Sequence, residues 1–252
     1  MRFGKIEYLN LLPFDIFIKS YKAPSFFKQS LFAHSSYPAK LNQSFLFKRI
    51  DAGFISSIAG IESQRNKNGK CATKSGIISK GAVWSVLVLK SSPKSDFQSD
   101  TSNALSKVLN ISGEVLIGDK ALKWLYQHCY QNPHNSTVCD KGNYIDMGEA
   151  WFSKHRLPFV FGRFCCAKKY ADFYTRISAK FNSKPIKIPY FYLLHQSKKT
   201  EIPPRFIKEY LKHIYYKIST KEHCAILRFY RALRLKQIKP PKRKYHTNKH
   251  KN

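Results

Sequence analysis

The sequence predicts an α/β protein of two lobes, joined by a two-segment hinge and enclosing a central cleft. Segments with strand character alternate with helical ones over most of the 252 residues, which is typical of largely parallel sheets covered by helices. Two long apolar runs, at residues 77–89 and 157–167, can carry the chain from one lobe to the other and back. Lobes connected in this way can close around a small ligand.

The first half of the chain begins with a clear strand and helix. Residues 2–8 alternate weakly between apolar and polar and predict a strand, and Pro13 lies near the first turn of a helix over residues 14–21. Residues 26–32 predict a short second strand. The next predicted elements are a helix opened by Pro38, a strand at 54–55 that ends in Ser56 and Ser57, a helical turn at 58–63 and a basic loop at 64–74.

The second half continues the alternation and then becomes largely helical. The predicted strands here are 114–117 and 144–147, and the predicted helices are 103–109, 120–130, 149–154, 168–181, 205–216 and 221–235. We expect a first lobe of residues 1–88 plus 165–238 and a second lobe of residues 89–164. Residues 239–252 are rich in Pro and Lys and predict a basic, disordered tail.

The chain is strongly basic, with 45 Lys and Arg against 15 Asp and Glu, a net charge of +30. Such a charge can indicate a nucleic-acid binder. Here the basic residues are spread along the whole chain and accompany no known nucleic-acid-binding motif, so we favour a solvated basic surface that attracts an anionic small molecule. We expect no nucleic-acid partner, and the sequence does not predict the oligomeric state.

Composition also bears on location and on metal binding. The sequence has no apolar run long enough to cross a membrane and no apolar segment of the signal-peptide type near Met1. We therefore expect a cytoplasmic protein that does not insert into membranes. The 6 cysteines form no Cys-x-x-Cys pair, and the histidines show no metal-ligand spacing, so the sequence predicts reduced thiols and no metal site.

Five segments of the chain, in order, resemble the menaquinone-biosynthesis chorismate dehydratase family of the futalosine pathway. No single segment is specific for this family, but the occurrence of all five in the same order is. The segments are Gly-Lys-Ile-Glu-Tyr-Leu-Asn at 4–10 with Leu-Pro at 12–13, Ile-Asp-Ala-Gly-Phe-Ile-Ser-Ser at 50–57, Val-Trp-Ser-Val at 83–86, Leu-Ile-Gly-Asp-Lys-Ala-Leu at 116–122, and Asp-Met-Gly-Glu-Ala-Trp at 146–151 followed by Leu-Pro-Phe-Val-Phe at 157–161.

The resemblance implies a fold like that of type II periplasmic binding proteins. It implies a lyase, without cofactor, that dehydrates the dianion chorismate to 3-[(1-carboxyvinyl)oxy]benzoate. A sister enzyme with the same fold carries a Ser-Pro-Cys-Pro-Asn-Asp-like turn where this chain has Tyr-Leu-Asn at 8–10, which favours the dehydratase. The chain departs from the family at Trp84, where Arg is common. The alternative is a non-enzymatic protein of the same fold that binds a small anion.

Asn10 is the candidate catalytic residue. It follows the first predicted strand, and the carboxyl ends of parallel strands line a ligand crevice. Its amide can both donate hydrogen bonds to a substrate and accept them. The alternative role is that of a turn-forming Asn; together with Tyr8 and the family resemblance, the position favours a substrate contact.

Hydroxyl groups near predicted strand ends and helix starts are candidate ligands for the substrate carboxylates. Ser56 and Ser57 precede a helical turn, and such positions bind anions through side-chain and backbone donors. Ser85 lies on the first crossover run. The first two could equally be helix caps, and Ser85 could point to solvent; the resemblance favours carboxylate binding by at least one of the first two.

Thr101, Ser102 and Asp119 complete the set of predicted substrate-binding residues. Thr101 and Ser102 end a polar loop before a helix, where a capping role and a binding role are equally compatible with the sequence. Asp119 follows a strand and starts a helix, and capping is its commoner role. No arrangement of Ser, His, Cys and Asp predicts a nucleophile, so we expect positioning by hydroxyl and amide donors, with the substrate's own enolpyruvyl carboxylate as a possible base.

Overall fold

The computed structural model describes residues 1–33, 35–64, 68–131 and 142–242. The tail predicted to be disordered lies outside these residues from 243 onward. The strands are β1 (Phe3–Ile6), β2 (Ser35–Ser36), β3 (Ala52–Ser56), β4 (Lys70–Ser79), β5 (Val86–Leu89), β6 (Glu114–Ile117), β7 (Tyr144–Asp146), β8 (Phe159–Ala167) and β9 (Tyr215–Lys217). The α-helices are α1 (Leu12–Ser20), α2 (Ser25–Ala33), α3 (Pro38–Leu46), α4 (Ile61–Gln64), α5 (Asp100–Leu109), α6 (Gly118–Leu125), α7 (Met147–His155), α8 (Ala171–Phe181), α9 (Tyr190–Thr200), α10 (Pro204–Tyr210) and α11 (Thr220–Leu235).

The described strands form two sheets. A six-stranded sheet has the order β2-β1-β3-β8-β4-β9, and a three-stranded sheet has the order β6-β5-β7. Only β1 pairs in parallel, with β2 and β3; the other pairs among the described strands are antiparallel. The prediction of largely parallel strands was therefore wrong. The reason is that β8 returns from the smaller sheet into the middle of the larger one, where it runs opposite to both β3 and β4.

Two predicted elements differ from the structure. Residues 26–32, predicted as a strand, belong to α2, whose Phe27 is fully buried against Phe3 and Phe173. The predicted helix 205–216 ends as α10 at Tyr210, and the chain then pairs with the sheet edge as β9. In both cases tertiary packing overrides a local pattern that is compatible with either structure.

An aromatic core supports the larger sheet on its helical side. Phe3 of β1 stacks on Phe14 of α1 at 5.6 Å between ring centroids and meets Phe164 of β8 edge-on at 5.5 Å. Phe54 of β3 stacks on Phe164 at 5.2 Å. Burying each such ring contributes about 2–3 kcal/mol, so this cluster holds β1, β3 and β8 in fixed register and sets the position of the residues that follow β1.

The Asp146 carboxylate fastens the two segments through which the chain passes between the sheets. It accepts hydrogen bonds from the backbone N–H groups of Val83 and Trp84 on the outgoing segment, at 2.7–3.0 Å. It also accepts those of Gly148 and Glu149, at 2.9 and 3.1 Å, and so caps α7. Burial raises the pKa of Asp146 to about 6, and the N–H donors oppose that shift.

The sheets place the crossovers at residues 80–85 and 147–158. The boundaries predicted at 88 and 164 fall inside β5 and β8, and the lobe division drawn from sequence stays a prediction. One of the C-terminal helices packs against the outgoing crossover, where Phe206 of α10 stacks on Trp84 at 5.2 Å. Among the described residues no helix has the length and apolarity needed to span a membrane.

Candidate functional site

A cleft that is partly open to solvent lies between the two sheets. Its walls come from the ends of β1, β3 and β6, the start of β5, the interiors of β4 and β8, and the starts of α3, α5 and α6. The lining residues are Ile6, Tyr8, Asn10, Pro38, Ser56, Ile77, Val83, Ser85, Val86, Ser99, Ser102, Ile117, Gly118, Phe161 and Gly162.

The chemistry of this lining is mixed. Apolar side chains, among them Ile6, Ile77 and Phe161, offer surfaces to a flat ring, and amide and hydroxyl groups stand between them. Within the described part of the chain, none of the lining residues is Asp, Glu, His, Lys or Arg. A ligand here is therefore bound by neutral donors and backbone groups, supplemented by the field of a chain whose net charge is +30.

Asn10 lines the cleft in the short 3-10 helical turn Leu9–Leu11 that follows β1. Its side-chain Oδ1 is buried and has no hydrogen-bond partner among the described residues. The Tyr216 hydroxyl donates to the Asn10 carbonyl oxygen at 2.6 Å and holds the turn in place. A buried polar atom without a partner costs about 1–3 kcal/mol, so Asn10 Oδ1 has the capacity to accept a further hydrogen bond at the cleft.

Ser56, at the end of β3, also lines the cleft and is oriented by Asn42, which the sequence did not single out. The buried Asn42 side chain donates to Ser56 Oγ at 2.7 Å and accepts the Ser56 N–H at 3.1 Å. The same amide nitrogen donates to Asp100 at 2.6 Å and so joins β3 to the start of α5. Because Ser56 Oγ accepts from Asn42, its own proton is available for an anion in the cleft.

Two helix N-termini face the cleft. Ser99 caps α5 by accepting the Ser102 N–H at 3.1 Å and donates to Ser102 Oγ at 2.8 Å, which leaves the Ser102 proton available. The predicted start of this helix at residue 103 was therefore late by one turn. Helix N-termini carry partial positive charge and unpaired N–H groups, so α5 and α6 supply the anion-binding character that the lining side chains lack.

Ser85 also lines the cleft, on the segment that leads into β5. Its carbonyl oxygen accepts the Gly118 N–H at 2.8 Å, which fixes the start of α6 against this segment. The fully buried Tyr210 lies close behind the Ser85 side chain. The structure thus brings four predicted residues, Asn10, Ser56, Ser85 and Ser102, to one cleft.

The other three predicted residues are engaged inside the fold and do not line the cleft. Ser57 donates its hydroxyl proton to the Val160 carbonyl oxygen of β8. Thr101 accepts the Ile58 N–H at 3.1 Å. The capping role considered for Asp119 is not seen, because Ile117 occupies the cap position and no side chain caps α6.

Asp119 instead links the turn after β1 to the start of α6. Its carboxylate accepts the Leu9 N–H at 3.0 Å, one residue before Asn10. Burial raises the pKa of Asp119 to about 6, and the Leu9 hydrogen bond and the charge of Lys199 oppose the shift. Asp119 therefore holds the turn that carries Asn10 from the α6 side of the cleft. Burying its carboxylate costs free energy, because the charged form loses its water.

This cost predicts a pH dependence of stability. A pKa raised from 3.8 to about 6 means that the folded state holds the proton more tightly than the unfolded state. The resulting stabilisation is complete below pH 4 and is lost as the pH rises through 6, by roughly 3 kcal/mol at most. We expect Asp119→Asn, which keeps an acceptor, to lose less stability than the native chain over that interval.

Urea unfolding at several pH values between 4 and 7.5 measures this difference. Asp172→Asn, on the helix α8, is a matched control because Asp172 is exposed. A stability difference between native chain and Asp119→Asn that stays constant across the interval would contradict the assignment.

Tyr8 has a structural role that its strand pattern did not reveal. Its hydroxyl donates to Gln98 at 2.9 Å, and its ring lies against Gly118, where a Cβ atom would meet three ring atoms at 2.8 Å. Gly118 has a φ of +61°, in the left-handed region that favours glycine. Tyr8 thereby joins the end of β1 to both helix starts on the far side of the cleft.

Trp84, the departure from the resembled family, does not line the cleft. Its backbone has a φ of +61° and is held by the hydrogen bond to Asp146. Its ring stacks on Phe206 and lies 4.2 Å from the His213 ring centroid. Burial lowers the pKa of His213. Trp84 thus packs against α10 and is not one of the lining residues.

Comparisons with known proteins agree with this architecture. A family model described as menaquinone biosynthesis matches residues 97–234. A chorismate dehydratase of Campylobacter jejuni subsp. jejuni serotype O:23/36 (strain 81-176) is 43% identical over 92% of this chain and 97% of its own length. A protein of known structure from Archaeoglobus fulgidus superposes with a TM-score of 0.62 at 12% identity, covering 94% of this chain and 97% of that one.

The periplasmic aliphatic sulphonate binding protein of Escherichia coli superposes with a TM-score of 0.55 at 15% identity, covering 96% of this chain and 94% of that one. The fold is therefore that of the two-lobed, type II periplasmic binding proteins, as predicted, with a neutral polar cleft between its sheets. Within that fold class, the match to the curated relative is decisive: the chain belongs to the menaquinone-biosynthesis family that includes chorismate dehydratase.

Proposed function

We propose that this protein is a chorismate dehydratase, a hydro-lyase that converts chorismate to 3-[(1-carboxyvinyl)oxy]benzoate and water, and that it acts in the cytoplasm without a cofactor. The observation that carries the proposal is the 43% identity to a chorismate dehydratase over 92% of the chain. The cleft supports it, because a flat ring with two carboxylates fits apolar walls that alternate with hydroxyl, amide and helix N-terminal donors.

The reaction needs little from the protein beyond positioning and charge stabilisation. Removal of the proton at C3 of chorismate gives an anion that is conjugated through the ring alkene to the ring carboxylate. The hydroxyl at C4 then leaves with that proton as water, and the ring becomes aromatic. The first step is helped by donors that bind the ring carboxylate as negative charge develops on it, a role that the α5 and α6 N-termini, Ser56 and Ser102 can fill.

Asn10 is the proposed contact to the reacting part of the ring. Its unpartnered Oδ1 can accept a hydrogen bond from the C4 hydroxyl group, and its amide nitrogen can donate a hydrogen bond to the oxygen that leaves. Asp119 and Tyr216 act as positioning residues, because each fixes the turn that carries Asn10 through one hydrogen bond. Ser85 stands on the side of the cleft formed by the segment before β5.

The proton acceptor follows from what surrounds the cleft. Among the described lining residues none is a carboxylate, imidazole or amine, and the buried carboxylates of Asp96, Asp119 and Asp146 accept backbone hydrogen bonds. We therefore propose that the enolpyruvyl carboxylate of chorismate removes the C3 proton. This keeps the acid and the base in one molecule, where proximity replaces a protein base.

Incubation of the purified chain with chorismate tests the proposal. We expect an aromatic product that is lighter than chorismate by one water and keeps its enolpyruvyl group, formed faster than in a protein-free control. Mass spectrometry and absorbance identify it. Binding of chorismate without any such product would reject the lyase and favour a small-anion binding protein of the same fold.

A further inference from the structure

Cys71 and Cys166 stand opposite each other on neighbouring strands, away from the cleft. The antiparallel register of β4 and β8 pairs these two residues directly. Their sulfur atoms are 3.3 Å apart, and Cys71 Sγ is also 3.7 Å from the Cys166 carbonyl oxygen. Paired residues of antiparallel strands have Cβ atoms about 4.5–5.5 Å apart, close to the separation that a disulfide needs.

We propose that Cys71 and Cys166 are a reversible oxidation site, where an oxidant of the peroxide class forms a disulfide between β4 and β8. The sulfurs need to approach each other by only about 1 Å to reach the ~2.05 Å of a disulfide bond. The facing strands are already held by hydrogen bonds on either side of the pair, so closure requires side-chain rotation and little movement of the backbone.

The environment of the two thiols sets the order of events. Cys71 is half-buried and reachable from solvent, whereas Cys166 is completely buried. The peroxide therefore oxidises Cys71 to a sulfenic acid and is itself reduced to water. The Cys166 sulfur then attacks the Cys71 sulfur; the S–S bond forms, the S–O bond breaks, and the oxygen leaves as a second water with the Cys166 proton.

The position of the pair in the chain gives the disulfide a defined consequence. The two cysteines are 95 residues apart, and the segment between them contains β5, β6 and β7, the whole smaller sheet. The bond would close a covalent ring at the end of β4 and β8 that lies away from the two crossovers. Closing so long a loop restricts the unfolded state, and we expect the melting temperature to rise by about 5–10 °C.

The bond should leave the cleft unchanged. Cys166 lies four residues beyond Gly162 on β8, which corresponds to about 13 Å along an extended strand. The oxidised protein is therefore expected to keep its ligand affinity and activity, whatever the reaction proves to be. Unchanged affinity and activity distinguish a disulfide between the outer ends of β4 and β8 from oxidative damage to the core.

Peptide mapping after peroxide treatment of the full chain tests the proposal. Tryptic cleavage places Cys71 in residues 71–74 and Cys166 in residues 164–168, together with Cys165. We expect the two peptides to appear joined, to separate on treatment with dithiothreitol, and to stay separate in the Cys71→Ser variant. Cys165→Ala should retain the link, and Cys224→Ser, at an exposed position on α11, is the matched control that behaves as the native chain.

Three results would overturn it: Cys71 converted to sulfinic or sulfonic acid with Cys166 still a thiol, Cys71 joined to a different cysteine, or Cys71 still reduced when exposed Cys224 is oxidised. Cys71→Ser is the primary variant, because its half-buried site tolerates a hydroxyl better than the buried Cys166 site does. Because Cys165 and Cys166 share one tryptic peptide, retention of the link in Cys165→Ala identifies Cys166 as the partner of Cys71.

Discussion

Replacing Asn10 by Ala is expected to lower the turnover of chorismate about 100-fold, the usual effect of removing one donor aimed at developing charge. The reason is that its buried Oδ1 has no partner among the described residues, while the backbone of the same residue is held by Tyr216. The truncation therefore removes the amide without releasing the turn. We expect the affinity for chorismate to change by much less than turnover, since the carboxylates are bound by other groups.

Separate measurements of kcat and of chorismate binding to the variant decide the role. Asn182→Ala is a matched control, because its amide donates to Ser75 Oγ and the Lys74 carbonyl oxygen, and none of these residues lines the cleft. Asn10→Asp adds a test of sign: a negative charge facing a dianion should weaken binding as well as turnover. If Asn10→Ala keeps turnover within twofold of the native chain, the catalytic role is lost and Asn10 only shapes the turn.

Asn10 and Ser56 show how far sequence could reach into the cleft. Both lie where a strand ends at the edge of the cleft, and the pattern of apolar residues and the turns that follow predicted these positions. The residues that orient their side chains could not be predicted from the sequence. Asn42 lies 14 residues from Ser56 and Tyr216 lies 206 residues from Asn10, and local pattern holds no information on contacts at such separations.

Asp119 illustrates the opposite case. The sequence places it at the start of a helix, where a side chain usually caps its own helix. In the structure it turns across the cleft and accepts the Leu9 N–H from 110 residues away. Ser57 likewise donates to β8 of the larger sheet, and Thr101 accepts the N–H of Ile58, in the loop that follows β3. Polar residues at strand and helix ends are thus predictable as a group, but the division into cleft-facing and fold-holding members depends on how the lobes meet.

The two-lobed architecture was predictable for a different reason. It rests on two long apolar runs, at residues 77–89 and 157–167, which were predicted to carry the chain between the lobes. In the structure they form mainly the end of β4, β5 and β8, next to the crossovers, and a strand in a sheet interior is apolar over its whole length. Strand direction was not predictable from the same feature, since β8 is equally apolar whether it runs with β3 or against it. The strand predicted at residues 26–32 failed because Phe27 is buried by α8, a contact with Phe173 that local sequence does not encode.

Gly118→Ala is expected to have the second large effect, because the position combines two constraints. A Cβ atom would lie 2.8 Å from three atoms of the Tyr8 ring, and the φ of +61° disfavours any residue with a Cβ. The ring cannot swing away freely, since its hydroxyl is held by Gln98. We expect a loss of about 2–4 kcal/mol in the free energy of unfolding and about 100-fold in kcat/KM as the Asn10 turn shifts.

Gly69→Ala separates the two constraints. Gly69 has a φ of +68°, close to that of Gly118, and a Cβ there would meet nothing within 4 Å. It should therefore lose only the backbone contribution, about 1–2 kcal/mol, with kcat/KM unchanged. In a double-mutant cycle, Tyr8→Leu should restore part of the stability lost in Gly118→Ala, because the smaller side chain removes the clash. Equal losses of unfolding free energy in Gly69→Ala and Gly118→Ala, with full activity in both, would show that the Tyr8 ring does not constrain the cleft. The positioning of Asn10 would then rest on Asp119 and Tyr216 alone.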